Sequence, residues 1–163
     1  MPTISRITPC LWFDTQGEEA ARFYTSVFPN SRITSMTHYP AVGQELHGRA
    51  AGSAMTVAFE LDGQQFTALN GGPAFKFTEA VSMMVCCDNQ DEVDHYWQRL
   101  GEGGEERECG WLKDRYGLFW QIVPRVLMDT LVEANPARVE RVFAAMLKMR
   151  KMDVAELRRA LAG

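Results

Sequence analysis

Residues 109–124 read Cys-Gly-Trp-Leu-Lys-Asp-Arg-Tyr-Gly-Leu-Phe-Trp-Gln-Ile-Val-Pro. The Asp-Arg-Tyr-Gly stretch at 114–117 is a turn signal, and the aromatic and aliphatic run at 118–123 that follows it predicts a buried strand. A proline closes the segment, and proline has no N–H to donate to a strand ladder. The segment therefore predicts a strand or loop that carries Trp111, a tight turn, and a buried strand that carries Trp120.

Upstream, the first half of the chain predicts a strand, a helix and several further strands. Residues 4–13 alternate loosely in polarity, and residues 18–28 place apolar side chains at helical spacing with acidic residues in the first turn. Residues 32–52 contain short extended pieces broken by proline and glycine. Residues 54–61 and 65–69 predict strands that flank an Asp-Gly pair, the strongest hairpin signal in the chain.

The second half repeats this order. Residues 81–87 predict a strand, residues 91–100 a helix, and residues 105–123 the remaining short strands. Residues 7–14 match residues 81–88 position by position in polarity, and a proline ends each half. Because the order of elements, the turn positions and the end signals agree, the chain is predicted to contain an internal duplication.

The region after residue 124 predicts three helices that pack on the sheet or on a partner subunit. Residues 126–132 form the first. Its inward residues are predicted to be Leu127, Leu131 and Val132. Asn135 as cap and Pro136 at the first helical position begin the second helix, and Asp153 caps the third. The apolar stripe of the second helix consists of Val139, Val142, Phe143, Met146 and Leu147.

Composition narrows the class of protein. The chain has 163 residues, of which 46% are hydrophobic and 23% charged, as expected for one globular domain. A net charge of -4 argues against nucleic acid or an anionic membrane as a partner. The sequence shows neither a membrane-spanning apolar run nor a signal peptide. None of the four cysteines lies in a Cys-x-x-Cys pair, so reduced thiols and a cytoplasmic location are expected.

Several blocks of sequence carry a family resemblance. They are residues 8–13 (Thr-Pro-Cys-Leu-Trp-Phe), 19–29 (Glu-Ala-Ala-Arg-Phe-Tyr-Thr-Ser-Val-Phe-Pro), 66–73 (Phe-Thr-Ala-Leu-Asn-Gly-Gly-Pro), 91–97 (Asp-Glu-Val-Asp-His-Tyr-Trp) and 109–124. With the duplicated unit, they resemble the PhnB-like family of the glyoxalase or vicinal-oxygen-chelate (VOC) superfamily. This family is often labelled 3-demethylubiquinone-9 3-methyltransferase. The resemblance covers about residues 4–130.

The resemblance implies an α+β fold in which two βαβββ modules form a curved mixed sheet, followed by C-terminal helices. The glyoxalase-like domain is expected at residues 1–125, with its modules at about 1–74 and 75–125, and the helical extension at 126–163. Pairing of modules within or between chains is also implied, because exposed strand edges need covering. We therefore expect a homodimer.

In enzymes of the superfamily, four side chains, usually His and Glu, hold a divalent metal that stabilises an enolate-like anion. The equivalent positions here carry Thr8, Thr67, Ser82 and Gln121, with Asn70 as the alternative to Thr67. Neutral hydroxyls and an amide are poor ligands for nickel, zinc or iron. The resemblance therefore predicts neither a metal nor another cofactor at this site.

Other chemistries find little support in the sequence. The histidines His38, His47 and His95 show no partnered ligand spacing. A methyl donor such as S-adenosylmethionine needs a glycine-rich turn between a strand and a helix, but the glycines at 101–104 follow a helix instead of opening one. Cys10 has no neighbouring His or Lys to lower its pKa, so a catalytic thiol is not expected.

The cavity of the curved sheet is the expected ligand site. The candidate ligand-binding residues are Thr8, Cys10, Trp12, Thr67, Ser82, Met84, Trp111, Trp120 and Gln121. A buried hydroxyl or amide costs roughly 1–3 kcal/mol when unpaired, so the hydroxyls and the amide among them should bond to each other, to water or to a ligand. For Trp120, Met84 and Cys86, a place in the core is favoured over a ligand contact.

Three functions remain open. The first is metal-free binding of a small apolar or aromatic molecule, which we favour. The second is a VOC-type enzyme, either a lyase or dioxygenase that recruits a metal differently, or, by family label only, the methyltransferase. The third is a structural or regulatory dimer without a ligand.

Overall fold

The computed structural model of the chain describes residues 5–163, which divide into two compact units. The first unit ends at Lys76 and contains β1 (Cys10–Phe13), α1 (Gly17–Val27), β2 (Arg32–His38), α2 (Gln44–His47), β3 (Ala54–Leu61) and β4 (Gln64–Asn70). The second unit, Phe77–Gly163, contains β5 (Ser82–Cys87), α3 (Gln90–Gly101), β6 (Glu105–Glu106), β7 (Trp111–Lys113), β8 (Phe119–Pro124), α4 (Arg125–Leu131), α5 (Pro136–Met146) and α6 (Val154–Ala162). None of the helices within residues 5–163 has the length and apolar character that crossing a membrane requires.

Both units build the same four-stranded mixed sheet. The strand order is β1-β4-β3-β2 in the first and β5-β8-β7-β6 in the second. In each, the first and last strands of the unit are parallel neighbours and the other pairs are antiparallel. The predicted α+β fold of two βαβββ modules with C-terminal helices is confirmed.

The hairpin in the first unit follows its local turn chemistry. Asp62 and Gly63 both have positive φ, at 46° and 85°. A two-residue type I′ turn requires this backbone conformation at both of its central residues. Asparagine, aspartate and glycine tolerate this region better than other residues, so the Asp-Gly pair places the turn. The antiparallel register that results pairs Phe59 with Phe66.

Two predictions in the first unit need correction. β1 begins at Cys10, although a strand was predicted over residues 4–13; residues 5–9 are not in a strand, and Ile4 lies outside the described residues. Pro9 cannot donate to the ladder, and only its carbonyl pairs, by accepting from Thr67 N at 2.9 Å. The short extended pieces predicted over residues 32–52 are one seven-residue strand followed by the single-turn helix α2.

The first sheet packs an apolar surface against α1. Tyr24 of α1 is fully buried, and its ring lies 6.3 Å from Phe59, which stacks on Phe66 at 5.4 Å. The buried residues on this helix side are Leu11, Phe13, Val57, Phe59, Leu61, Phe66, Ala68 and Asn70. Side chains alternate along a strand, so the intervening residues form the opposite side of the sheet, which we call the distal face.

The second sheet is covered in the same way by α3. Val93, Trp97 and Leu100 of α3 are buried, and the indole Nε1 of Trp97 donates to Glu106 Oε1 at 2.9 Å. The side chain of Asn89 caps α3 by accepting from Glu92 N at 3.0 Å. The helix-side residues of this sheet are Met83, Val85, Cys87, Leu112, Trp120 and Ile122.

The C-terminal helices belong to the second unit. Cys109 N and Gly110 N donate to the carbonyls of Met149 and Arg150 at 2.8 and 2.7 Å. Met152, which follows them, is only 1% exposed. The tail therefore packs on its own module.

The inward face of α4 differs from the prediction. Leu127 is buried, but Leu131 and Val132 are 41% and 85% exposed, and Thr130 takes the inward position instead. Thr130 can be buried because its hydroxyl donates to Val126 O at 2.6 Å. The helix caps were predicted correctly, since Asn135 and Asp153 accept from the amides three residues on.

Gln90 ties the tail to α3. Its Oε1 accepts from Val154 N at 2.8 Å, and its Nε2 donates to Met152 O at 3.1 Å. Gln90→Ala should lower the free energy of unfolding by about 1–3 kcal/mol, because both backbone groups lose their partner. Urea denaturation followed by circular dichroism measures the change.

The matched control is Gln98→Ala, on the exposed side of the same helix, for which we expect less than about 0.5 kcal/mol. An equal loss in both variants would show that the Gln90 contacts do not hold the tail.

Candidate functional site

The distal face of the first sheet brings several candidate residues together. The parallel register pairs Cys10 with Thr67 and Trp12 with Leu69, so these side chains share one face. Thr8 precedes the strand and lines the same groove as Thr67. Of the two alternatives on β4, it is Thr67 that lies on the distal face.

Asn70 has a structural role on the helix side. It is 7% exposed, its Oδ1 accepts from Gly17 N at 2.7 Å, and its Nδ2 donates to Ala54 O at 3.2 Å. Its own carbonyl accepts from the Tyr39 hydroxyl at 2.7 Å. The Asn70 side chain therefore satisfies the first amide of α1, and it takes no part in the distal face.

A groove of about 610 Å³ crosses the distal face between Thr8 on one side and β2 on the other. Its lining residues are Thr8, Arg32, Ile33, Thr34, Ser35, Ala58, Phe59, Glu60, Gln65, Phe66 and Thr67. Ligand pockets usually measure about 300–1,000 Å³, so the groove is large enough for a small organic molecule. Its polar lining combines the hydroxyls of four residues with the Gln65 amide and two charged side chains.

Sequence reasoning missed one charged pair in this groove. The Glu60 side chain is 20% exposed, and its Oε2 lies 3.2 Å from Nε of Arg32, whose side chain is 71% exposed. The alternation along residues 54–61 contained the signal, because it places Ala58 and Glu60 on the face opposite Phe59.

Trp12 is fixed at the end of the first distal face. Its Nε1 donates to Gly72 O at 2.9 Å, and Phe75 packs edge-on at a ring distance of 4.9 Å. A Cβ at position 71 would lie 2.3 Å from the Trp12 ring, so only glycine allows this approach. Trp12 thus presents a half-buried, rigid ring.

The second sheet holds the other polar candidates on its own distal face. Gln121 is paired across the ladder with both Met84 and Trp111, so these side chains share one face. The amide Nε2 of Gln121 donates to Ser82 Oγ at 2.8 Å. The structure therefore brings together Ser82 and Gln121, two of the four residues that occupy the superfamily's metal positions.

Trp120 is not part of this group. It is 2% exposed, lies on the helix side, and donates from Nε1 to Asp114 Oδ2 at 2.8 Å. Adjacent strand residues face opposite sides, so Trp120 and Gln121 cannot line one pocket. The structure thus places Trp120 in the core, as the sequence favoured.

Met84 and Cys86 were also expected in the core, and for them this expectation is wrong. Met84 is 58% exposed, and Cys86 is also exposed.

Two of the four thiols, those of Cys10 and Cys87, are not activated as nucleophiles. Burial raises the pKa of Cys10. The pKa of Cys87 is raised to about 12, first by burial and then by the negative charges of the neighbouring Glu92 and Asp88 carboxylates. A raised pKa keeps a thiol protonated near neutral pH, whereas nucleophilic cysteines need a lowered one.

The side chains at the superfamily's metal positions do not fit a transition metal. Thr8 and Thr67 supply only hydroxyls, and Gln121 directs an N–H donor at Ser82. Across residues 5–163, no three His, Cys, Asp or Glu side chains come together as a metal site would need. His47 instead stacks on Tyr39 at 4.7 Å and accepts from Arg49 N at 3.0 Å.

Comparison with known proteins assigns the chain to a family. A family model described as 3-demethylubiquinone-9 3-methyltransferase matches residues 5–123. A search of curated proteins found no match.

Solved structures support the same assignment. A PhnB protein from Bacillus cereus, provisionally described by the same methyltransferase name, is 32% identical. The match covers 74% of this chain and 99% of that one, with a TM-score of 0.65. Protein PA1353 from Pseudomonas aeruginosa is 18% identical over 74% of this chain and 98% of its own, with a TM-score of 0.60, and it supports the fold alone. The chain therefore belongs to the family described as 3-demethylubiquinone-9 3-methyltransferase, the PhnB-like family of the VOC superfamily.

Proposed function

We propose that this protein binds a small apolar or aromatic molecule on the distal faces of its sheets, without the metal that superfamily enzymes use. The observation that carries the proposal is the groove of about 610 Å³ on the first distal face, which Thr8 and Thr67 line at two of the former metal positions. A groove with neutral polar groups at these positions favours binding over metal-assisted chemistry.

The lining indicates the character of the ligand. Ala58 and the methyl groups of Thr8 and Thr67 offer apolar contact, while the hydroxyls of Thr8, Ser35 and Thr67 offer hydrogen bonds. The ligand that suits such a wall is mainly apolar and carries at least one hydrogen-bonding group, because unpaired buried hydroxyls cost free energy.

The second distal face supports the same reading. Ser82 and Gln121 satisfy each other through one hydrogen bond and keep the Ser82 hydroxyl proton and the Gln121 carbonyl for a ligand. Trp111, half-buried beside Gln121, provides an aromatic surface for stacking. A cytoplasmic location suits the four free thiols.

A titration with 1-anilinonaphthalene-8-sulfonate, an aromatic probe that carries one sulfonate group, tests the proposal. We expect saturable binding to the purified chain, seen as a rise in probe fluorescence. Ala58→Phe places a ring in the groove and should weaken binding by at least about tenfold, because the probe and the new side chain compete for one volume.

The matched control is Thr56→Phe, on the same strand and the same face but outside the groove lining, which should bind the probe as the unaltered protein does. Absence of saturable binding, or equal weakening in both variants, would contradict the groove as the site. Elemental analysis is the second readout, since stoichiometric metal that is lost with an activity on chelation would favour the enzyme instead.

A further inference from the structure

The outward face of α5 is unusually apolar. Residues three and four apart share a helix face, so Glu140, Phe143, Ala144 and Leu147 lie along one side of α5 and its final turn. Phe143 is 45% exposed and Leu147 56% exposed, whereas Val142 on the opposite side is fully buried. We call Glu140, Phe143, Ala144, Leu147 and Lys148 the α5 face.

A surface helix normally turns its charged residues outward. Here the outward side carries an aromatic ring, a leucine and an alanine. Leu131, the last residue of α4, and Val132, which follows it, are also exposed, and α4 packs against α5. Exposed apolar surface of this kind is typical of an interaction site.

The charges at the ends of the α5 face indicate what covers it. Within residues 5–163, neither Glu140 nor Lys148 has an ion-pair partner, and both are exposed. Their neighbours on the same helix are occupied: Arg138 pairs with Glu133 at 3.3 Å, and Arg141 donates to Ala160 O at 3.0 Å. The apolar residues are therefore flanked by one acidic and one basic side chain, Glu140 and Lys148, that form no ion pair within the described residues.

The spacing of these charges is symmetric. Glu140 and Lys148 each lie four residues from Ala144 in sequence. Glu140 is in α5, and Lys148 lies in the turn directly after the last helical residue, Met146, where its amide donates to Ala145 O at 3.2 Å. A two-fold axis through Ala144 places a second helix antiparallel to the first, so that each Glu140 lies opposite the Lys148 of the other copy. The small side chain of Ala144 lets the two helices approach, and Phe143 and Leu147 then pack across the axis.

We propose that the α5 face binds the same face of a second copy of this chain, as an antiparallel, two-fold symmetric helix pair. In a two-fold interface one surface patch must complement itself, and an apolar centre between one acid and one base does so. A different protein partner would need no such symmetry. The α5 face lies outside residues 5–123, so the inference concerns the part of the chain that the family model does not match.

Sedimentation equilibrium on the full chain at micromolar concentration tests the interface. We expect a dimer for the unaltered protein. Phe143→Glu should raise the dimer dissociation constant by at least about thirtyfold, since a charge replaces the central apolar contact. A monomeric unaltered protein, or a dimer that Phe143→Glu leaves intact, would overturn the proposal.

Charge exchange tests the antiparallel register. Glu140→Lys and Lys148→Glu, each alone, place like charges opposite one another and should weaken the dimer about three- to tenfold. Mixing these two variants should restore association, because the mixed dimer regains two attractive pairs. The double variant should restore it as well. Failure of both the mixture and the double variant to recover would overturn the register.

Two controls separate this interface from other causes. Glu45→Lys makes the same charge change on the exposed helix α2 and should leave the dissociation constant unchanged. Urea denaturation of each variant shows that it remains folded. The probe titration described above should be unchanged in Phe143→Glu, because the groove lies in the first unit, so the two proposals can fail independently.

Discussion

Replacing Asp114 with alanine should lower the free energy of unfolding by about 3–5 kcal/mol, the largest effect expected from one substitution in this chain. The carboxylate is 1% exposed. Its Oδ1 accepts from Tyr116 N at 2.8 Å and Leu118 N at 3.1 Å, and its Oδ2 accepts from the Trp120 indole at 2.8 Å. Alanine would leave these three donors without their partner, and the Leu118 and Trp120 donors are buried.

Urea denaturation followed by tryptophan fluorescence measures this loss. Asp114→Asn should be less damaging, because an amide keeps one acceptor oxygen but turns an NH2 group toward a donor. Asp129→Ala, an exposed carboxylate on α4, should change the free energy of unfolding by less than about 0.5 kcal/mol. A loss below about 1 kcal/mol in Asp114→Ala would show that the turn holds without this carboxylate.

Asn70→Ala is the corresponding change in the first unit and should cost about 2–4 kcal/mol. It removes the acceptor of Gly17 N and the donor to Ala54 O, one buried and one partly buried hydrogen bond. It also opens a cavity beside the start of α1, where a Cβ on Gly17 would lie 2.7 Å from Asn70 Oδ1. Chemical denaturation followed by circular dichroism measures the effect.

Gln64→Ala is the matched control for Asn70, since it lies on the same strand but is exposed. We expect less than about 0.5 kcal/mol for it. If both variants unfolded at the same urea concentration as the unaltered protein, the Asn70 side chain would be dispensable for anchoring α1.

These two residues show how the duplicated units have diverged. In the parallel ladders, Phe13 pairs with Asn70 and Cys87 pairs with Pro124, so Asn70 and Pro124 occupy equivalent places. Pro124 has no side-chain polar group and leads directly into α4. The second unit instead caps its helix locally through Asn89 and uses Asp114 to organise its last turn. The fold is repeated, but the hydrogen bonds that hold it are not.

Membership of a family does not establish the chemistry in its name. Function depends on the groups in the site, and one fold can carry many activities. The distal faces here present threonine and serine hydroxyls, a glutamine amide and aromatic rings. At the superfamily's metal positions such groups can bind and orient a molecule, but they carry no charge that would hold a metal. The charged pair of the groove, Arg32 and Glu60, lies beside these positions.

Local chemistry made much of this fold readable from the sequence. The Asp62-Gly63 turn, the helices around residues 18–28 and 91–100, and the caps at Asn135 and Asp153 were predicted because each depends on residues close in sequence. The duplicated order of elements then followed from repeating these signals. Alternation also separated the polar from the apolar positions on most strands.

Only the tertiary structure shows which neutral polar side chains line a groove and which are buried on the helix side of a sheet. Alternation separates two faces but does not say which one a helix covers, so Asn70 and Thr67 could not be distinguished from the sequence. The C-terminal stripe was ambiguous for the same reason, because burial of Val142 and exposure of Phe143 depend on where α4 and α6 pack. Contacts between residues far apart in sequence determine which side of a strand or helix is buried, and the local periodicity of the sequence does not encode those contacts.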